Sequence, residues 1–174
     1  MEAEHYTGKS EAGDKRWMRI EDYGHTLSAM RASSDVDAPP AEPGKNSPCL
    51  EYRMYLVDSG RVDVEGVFSA TLNFAPGRGL RYGISFDNEP PQVVTLVPPA
   101  YTARDGNSDW EQTVEDNARH SSTSREIGRP GPHTLKVWMV DPGVVIEKIV
   151  VNCGGVRPSY LGPPESYYQG ATKK

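Results

Sequence analysis

Three carboxylates pose the first chemical question. The chain opens "MEAEHYT", and if that stretch is extended, Glu2 and Glu4 stand at i and i+2 and face the same way. A third acid, Glu147, lies in "VVIEKIVV". Strict alternation groups it with Val145, Ile149 and Val151, while Lys148 shares the other face with Val144, Ile146 and Val150. Lys148 can reach solvent along its methylenes, but a short carboxylate among Val and Ile cannot. Burying even a neutral polar group without a partner costs about 2–7 kcal/mol. A cation beside Glu147 removes that penalty. Hard oxygens from Glu2, Glu4 and Glu147, completed by backbone carbonyls, suit calcium. The same residues also fit a plainer arrangement, with Glu2 and Glu4 straddling an exposed terminus and Glu147 paired with an arginine.

Other chemistry is harder to find in the sequence. It holds no Gly-rich phosphate loop, nucleophile elbow, HExxH or zinc-spaced Cys/His set. The four histidines are scattered, and His133, opening "HTLKVWMV", reads as a strand-end hydrogen bonder rather than a catalyst. With 24 Asp and Glu, pairs such as Glu115–Asp116 read as solvated surface. An enzyme is therefore disfavoured. Cys49 and Cys153 each adjoin an expected strand, so a disulfide requires those strands to be spatial neighbours. They are expected to lie close enough to bridge, two free thiols being the alternative.

These residues must be positioned by strands. A chain of 174 residues, 36% hydrophobic and 25% charged, suits one domain of 1–166 with a flexible tail at 167–174. Seventeen glycines and fifteen prolines favour short strands joined by shaped loops. "LEYRMYL" sends Leu50, Tyr52, Met54 and Leu56 to one face, and "LRYGISFD" does the same with Leu80, Tyr82, Ile84 and Phe86. With "GRVDVEGVFSATLNF", "PQVVTLV", "HTLKVWMV" and "GVVIEKIVVN", they predict an all-β antiparallel sandwich. "WMRIEDYGHTLSAM" reads as a loop ending in a short strand, with Trp17 packed in the loop, and 32–48 is a loop by composition. "SDWEQTVEDNARH" predicts one short helix near Asp109–Arg119, opened by a Ser108–Glu111 capping box, with Trp110 and Val114 on its buried face. A net charge of −5 argues against nucleic acid, and no apolar run approaches membrane-spanning length. No signal peptide precedes "EAEHYT", which suits either an intracellular chain or a piece of a longer protein.

"EAEHYT", followed much later by an apolar-acid-x-apolar strand, resembles the calcium-binding jelly-roll modules of carbohydrate-binding families 6 and 35. More specifically, "HTLKVWMVDPGVVIEKIVVNCGGVRPSYLGPPES", with "EAEHYT", "DWEQTVEDN" and "LEYRMYL", resembles the C-terminal domain of glycoside hydrolase family 115, the xylan α-glucuronidases. The likeness runs from Glu2 to Ser166. It implies an accessory module without the catalytic domains of those enzymes, from a longer extracellular or periplasmic protein acting on glucuronoxylan. It also implies a structural calcium held by Glu2, Glu4 and Glu147. Family 6 modules often carry Asn two positions before the last-strand acid, where this chain has Val145, which weakens transfer of their binding cleft.

Under that resemblance, sugar contacts are expected at the loop end of the sandwich. Pyranose rings stack on aromatic rings, and uronic acids add a carboxylate that needs a cation or hydrogen-bond donors. The candidates are Tyr101 and Arg104 in "PPAYTARDGNSDW", Trp110 and Asn117 of the helix, and Asp141 in "VDPG". Trp110 also fits a role anchoring the helix. Tyr23 is a weaker stacking candidate, and Trp138 belongs to core or sheet surface. Two functions follow: a module that binds xylan or its glucuronic acid branches, or a structural or dimerisation domain that packs on the parent catalytic domains.

Overall fold

The computed structural model describes residues 1–75 and 77–167. The expected tail at 167–174 lies outside them apart from its first residue, the exposed Tyr167. Ten strands and one helix follow in chain order: β1 (Gly8–Ser10), β2 (Arg16–Ile20), β3 (Ala29–Ser33), β4 (Cys49–Leu56), β5 (Gly60–Ser69), β6 (Leu80–Phe86), β7 (Gln92–Val97), α1 (Ser108–Asp116), β8 (Ala118–Ile127), β9 (Gly131–Met139) and β10 (Val145–Asn152). They form two five-stranded antiparallel sheets, ordered β2-β3-β10-β5-β8 and β1-β4-β9-β6-β7. The expected all-β sandwich with one short helix is the observed architecture. Leu50, Tyr52, Leu80, Tyr82, Ile84 and Phe86 of one sheet pack on Val62, Val64, Phe68, Ile146 and Ile149 of the other. Each such side chain contributes about 1.5–3 kcal/mol by leaving water.

Several elements depart from the sequence expectation. Trp17 lies in strand β2 rather than in a loop, fully buried, with its indole N–H donating to Pro48 O at 3.3 Å. Strand β8 was not expected at all. Its inward positions are Arg119, Ser121, Thr123, Arg125 and Ile127, so it lacks the apolar alternation that marks a strand, yet it pairs with β5 along its whole length. Two of the polar inward residues find partners in the opposite sheet: Tyr82 donates to Ser121 Oγ at 3.0 Å, and Arg125 Nη2 to Ile84 O at 3.4 Å. In the helix the N-cap is Asn107, whose side chain accepts from the Asp109 N–H, while Glu111 reaches back to the Gly106 N–H. The cap therefore sits one residue before Ser108. Its buried residue is Thr113; Val114 is exposed.

The β10 alternation is interrupted by a bulge. Ile146 pairs with Phe68 and Lys148 with Val67, so Glu147 is the extra residue between them. Ile146 and Ile149, three apart instead of two, both enter the core, and Glu147 and Lys148 both fall on the outer face. The apparent conflict of one charge on each face is thereby removed.

The cysteines do not meet as expected. Cys49 is buried at the start of β4, paired with Trp138, whereas Cys153 is exposed beyond the end of β10 in the other sheet, and both are free. Burial, with Glu51 adding to it, pushes the Cys49 thiol up to about 12. His133 sits at the start of β9, 2.7 Å from Asp87 and 2.9 Å from the Arg129 carbonyl, the strand-end role its position suggested. Trp138 lies half-buried on the outer face of its sheet, donating to Ser85 Oγ at 3.0 Å.

Candidate functional site

Strand registers place all five expected sugar contacts at one end of the sandwich. Ser69 pairs with Ala118, Leu80 with Val97 and Tyr82 with Met139, so the loops after β5, β7 and β9 emerge together. Only Tyr101 and Trp110 share a surface. They line a small groove of about 120 Å³ with Ala70, Thr71, Leu72, Thr113 and Val114. One face of Tyr101 is taken by the guanidinium of Arg119, 4.7 Å from the ring centroid. Arg119 is itself buried and held 2.8 Å from both carboxylate oxygens of Asp109, so helix, aromatic ring and strand β8 form one locked unit. Arg104 is exposed. Asn117 is the left-handed C-cap of α1, with φ of 50°, a conformation Asn tolerates, and its N–H donates to Val114 O.

Asp141 is corrected from sugar contact to structural anchor. It is fully buried, and its carboxylate meets Arg81 at 2.8 and 3.2 Å and Arg78 at 3.3 Å. Arg78 also donates to the carbonyls of Val36 and Ala38. The carboxylate thus fixes the long loop before β4 and leaves no oxygen for a ligand.

Glu2, Glu4 and Glu147 do gather at one edge of the sandwich. Residues 1–3 lie beside β10 beyond the point where β3 ends: Met1 N and O bond Ile149 O and N, and the Ala3 N–H donates to Glu147 O. Each carboxylate is already met by donors of the chain itself. Glu2 accepts from the Thr26 hydroxyl at 2.7 Å and lies 3.3 Å from the Lys148 ammonium. Glu4 accepts from the Ser28 N–H at 3.0 Å and pairs with Arg19 at 2.8 Å. Glu147 accepts from the His25 N–H at 3.1 Å and lies 2.6 Å from its Nδ1. Among the described residues no three His, Cys, Asp or Glu side chains form a metal-holding group. A lysine ammonium inside the ligand set does not fit a calcium ion.

A cleft of about 370 Å³ lies next to this edge, on the outer face of the β10-containing sheet. Its floor is Glu65, Val67, Glu147, Lys148 and Val150, and its walls are His25 from the β2–β3 loop and the C-terminal segment 156–163. Lys148 Nζ donates to Leu161 O at 2.7 Å, and Glu165 accepts from the Glu2 N–H while lying 2.8 Å from His5, which together hold that segment down; Ser159 and Gly162 close a turn within it. Burial acts to raise the Glu165 carboxyl, but the bonds to Glu2 N–H and His5 outweigh it and hold the group below the usual range. Tyr160 projects over the cleft, 68% exposed, its ring edge-on to His25 at 5.6 Å. Arg157 stands exposed at the rim, and His120 and Glu65 pair at 2.7 Å across the floor. None of these was singled out from the sequence as a ligand contact. The signal for Tyr160 was "SYLGPPES", which reads as a terminal signature and folds as part of the cleft wall.

Residues 1–165 match the family described as "Glycosyl hydrolase family 115 C-terminal domain". The chain belongs to that family. No curated protein matches it at the level of sequence. Among solved structures it is similar to the family GH115 4-O-methyl-α-glucuronidase BtGH115A, described as having specificity for decorated arabinogalactans, with a TM-score of 0.57 and 17% identity. That alignment covers 84% of this chain and 17% of that one, so the GH115 C-terminal domain described here spans about a sixth of its relative's length. It is also similar to a family 35 carbohydrate-binding module from Clostridium thermocellum, with a TM-score of 0.54 and 15% identity, covering 87% of this chain and 96% of that one. The C-terminal family 6 module of the laminarinase LamC from Zobellia galactanivorans gives 0.51 and 14%, over 86% and 94%. At these identities the likeness shows a shared fold.

Proposed function

We propose that this domain is a non-catalytic carbohydrate-binding module of a secreted family 115 α-glucuronidase. Its cleft beside β10 takes a glucuronic acid-substituted polysaccharide, glucuronoxylan being the expected ligand. The observation that carries the reading is the cleft itself. A volume of about 370 Å³ falls in the range of small-ligand sites, and an exposed tyrosine beside an arginine at the rim matches the two needs of an acidic sugar. Tyr160 offers a ring on which a pyranose can stack, and Arg157, which forms no ion pair among the described residues, can meet a uronate carboxylate bidentately. The fold shared with family 6 and family 35 modules supports the reading without deciding it, because sandwiches host many functions.

The loop-end groove favours a second reading. Leu72 and Val114 are each 58% exposed beside Trp110, a surface suited to packing on the parent catalytic domains or on a second copy. Calorimetry of the domain against glucuronoxylan, unsubstituted xylan, decorated arabinogalactan and cellulose separates the two. Binding to a uronate-bearing polymer, weakened by added salt, is expected. Heat-silent titrations with all four polymers, together with self-association in sedimentation, would establish the packing role instead.

A further inference from the structure

The junction of the chain's two ends is built as a metal site is built, yet its positive charge comes from side chains. Five separate stretches converge there: residues 1–5, strand β2 through Arg19, the β2–β3 loop through His25, Thr26 and Ser28, the β10 bulge, and the C-terminal segment through Leu161 and Glu165. Glu2 and Lys148 are both buried, each with only 6% of its side chain exposed, and they form a backbone bridge as well as an ion pair. Three carboxylates packed at one edge need compensation, because an uncompensated buried charge is costly. Arg19 and Lys148 supply two positive charges and the His25 imidazole a third polar partner.

Calcium requires six to eight oxygens at about 2.3–2.6 Å around one point. Here the oxygens are divided among three donor sets, and the bulge explains why. With Glu147 as the extra residue, Lys148 turns to the same outer face and its ammonium reaches both Glu2 and the Leu161 carbonyl. A dication could enter only by expelling a buried ammonium from both.

We infer that Lys148 and Arg19, with donors from His25, Thr26 and Ser28, take the place of a structural metal, so that this domain ties its ends together independently of calcium. The test is thermal unfolding of the native domain, stripped by dialysis against EDTA and checked by elemental analysis, in chelator and in millimolar calcium chloride. Equal melting temperatures are expected, with no calcium retained through dialysis. A rise of several degrees with calcium, or one equivalent surviving dialysis, would overturn the inference. Lys148→Met should melt well below wild type in both solutions. Should it fail to fold, Lys148→Gln, which keeps a donor for Leu161 but not the charge, should show the same loss in smaller degree, and an unchanged melting temperature there would equally overturn it.

Discussion

The loop end and the β10 face of this sandwich are built on opposite plans. At the loop end, buried charges are consumed in fixing the structure: Asp141 binds Arg81 and Arg78, Arg119 binds Asp109, and the concave surface beside them is a small groove of mainly apolar side chains. On the β10 face the cleft is three times larger, and exposed polar groups stay within it beside an exposed ring. The contrast teaches that residue type does not distinguish ligand contact from anchor. Asp141 and Arg157 belong equally to the chemistry of sugar recognition, and burial alone separates them.

The largest expected effect breaks the loop end. Asp141→Ala strips the shared partner from two guanidiniums and leaves the loop before β4 without its anchor. Breaking a buried ion pair costs about 3–5 kcal/mol, and the low end applies because both arginines reach solvent. For a domain of this size about 3 kcal/mol lowers the melting temperature by roughly 6–12 °C. Polysaccharide affinity, measured well below that temperature, should be retained if the cleft is the site. A stable Asp141→Ala variant that loses sugar binding would return recognition to the loop end.

Next in size is the direct exchange between the two surfaces. Tyr160→Ala should weaken glucuronoxylan binding by about 1–3 kcal/mol in calorimetry, the usual cost of removing an aromatic anchor, with little change in stability because the side chain is largely exposed. Trp110→Ala should leave affinity intact and lower stability, since the indole is half-buried against Tyr101 and Thr113. The reverse pair of results would show that the loop-end aromatics are the platform.

How far the sequence could anticipate these two regions follows from what each is made of. Strands β4, β6 and β9 were legible because one face is apolar and the period of two survives intact. Strand β8 was not, because most of the residues it turns inward are Arg, Ser and Thr, and the contacts that Ser121 and Arg125 make with the other sheet are ones no local pattern reveals. The charges in β10 were legible as a problem, and their solution, a one-residue bulge, depends on pairing with β5. Glu2, Glu4 and Glu147 each stood out in the sequence as carboxylates in need of a partner, while the groups that meet them come from Arg19, His25 and Lys148, brought in from edge, loop and bulge. The cleft wall was the least legible part. A segment with no regular structure forms a cleft wall only through the surface it lies on.

The smallest expected effect uses the two thiols as reporters on the same comparison. In the folded domain Cys153 should react with a maleimide and Cys49 should not, since Cys49 is buried and its thiol is held far from ionisation by that burial. Denaturation without reductant should release two reactive thiols, and a count of zero would mean that the cysteines bridge. Cys153 directly follows Asn152, which lines the cleft, and precedes Val156 on the opposite wall. Glucuronoxylan seated there should therefore slow labelling of Cys153 modestly while leaving the Cys49 signal at its baseline. A ligand held at the loop end would touch neither residue's surroundings on this face. Labelling rates that stay constant at saturating polysaccharide, in a sample shown by calorimetry to be bound, would place the sugar away from β10 and leave the cleft without its proposed occupant.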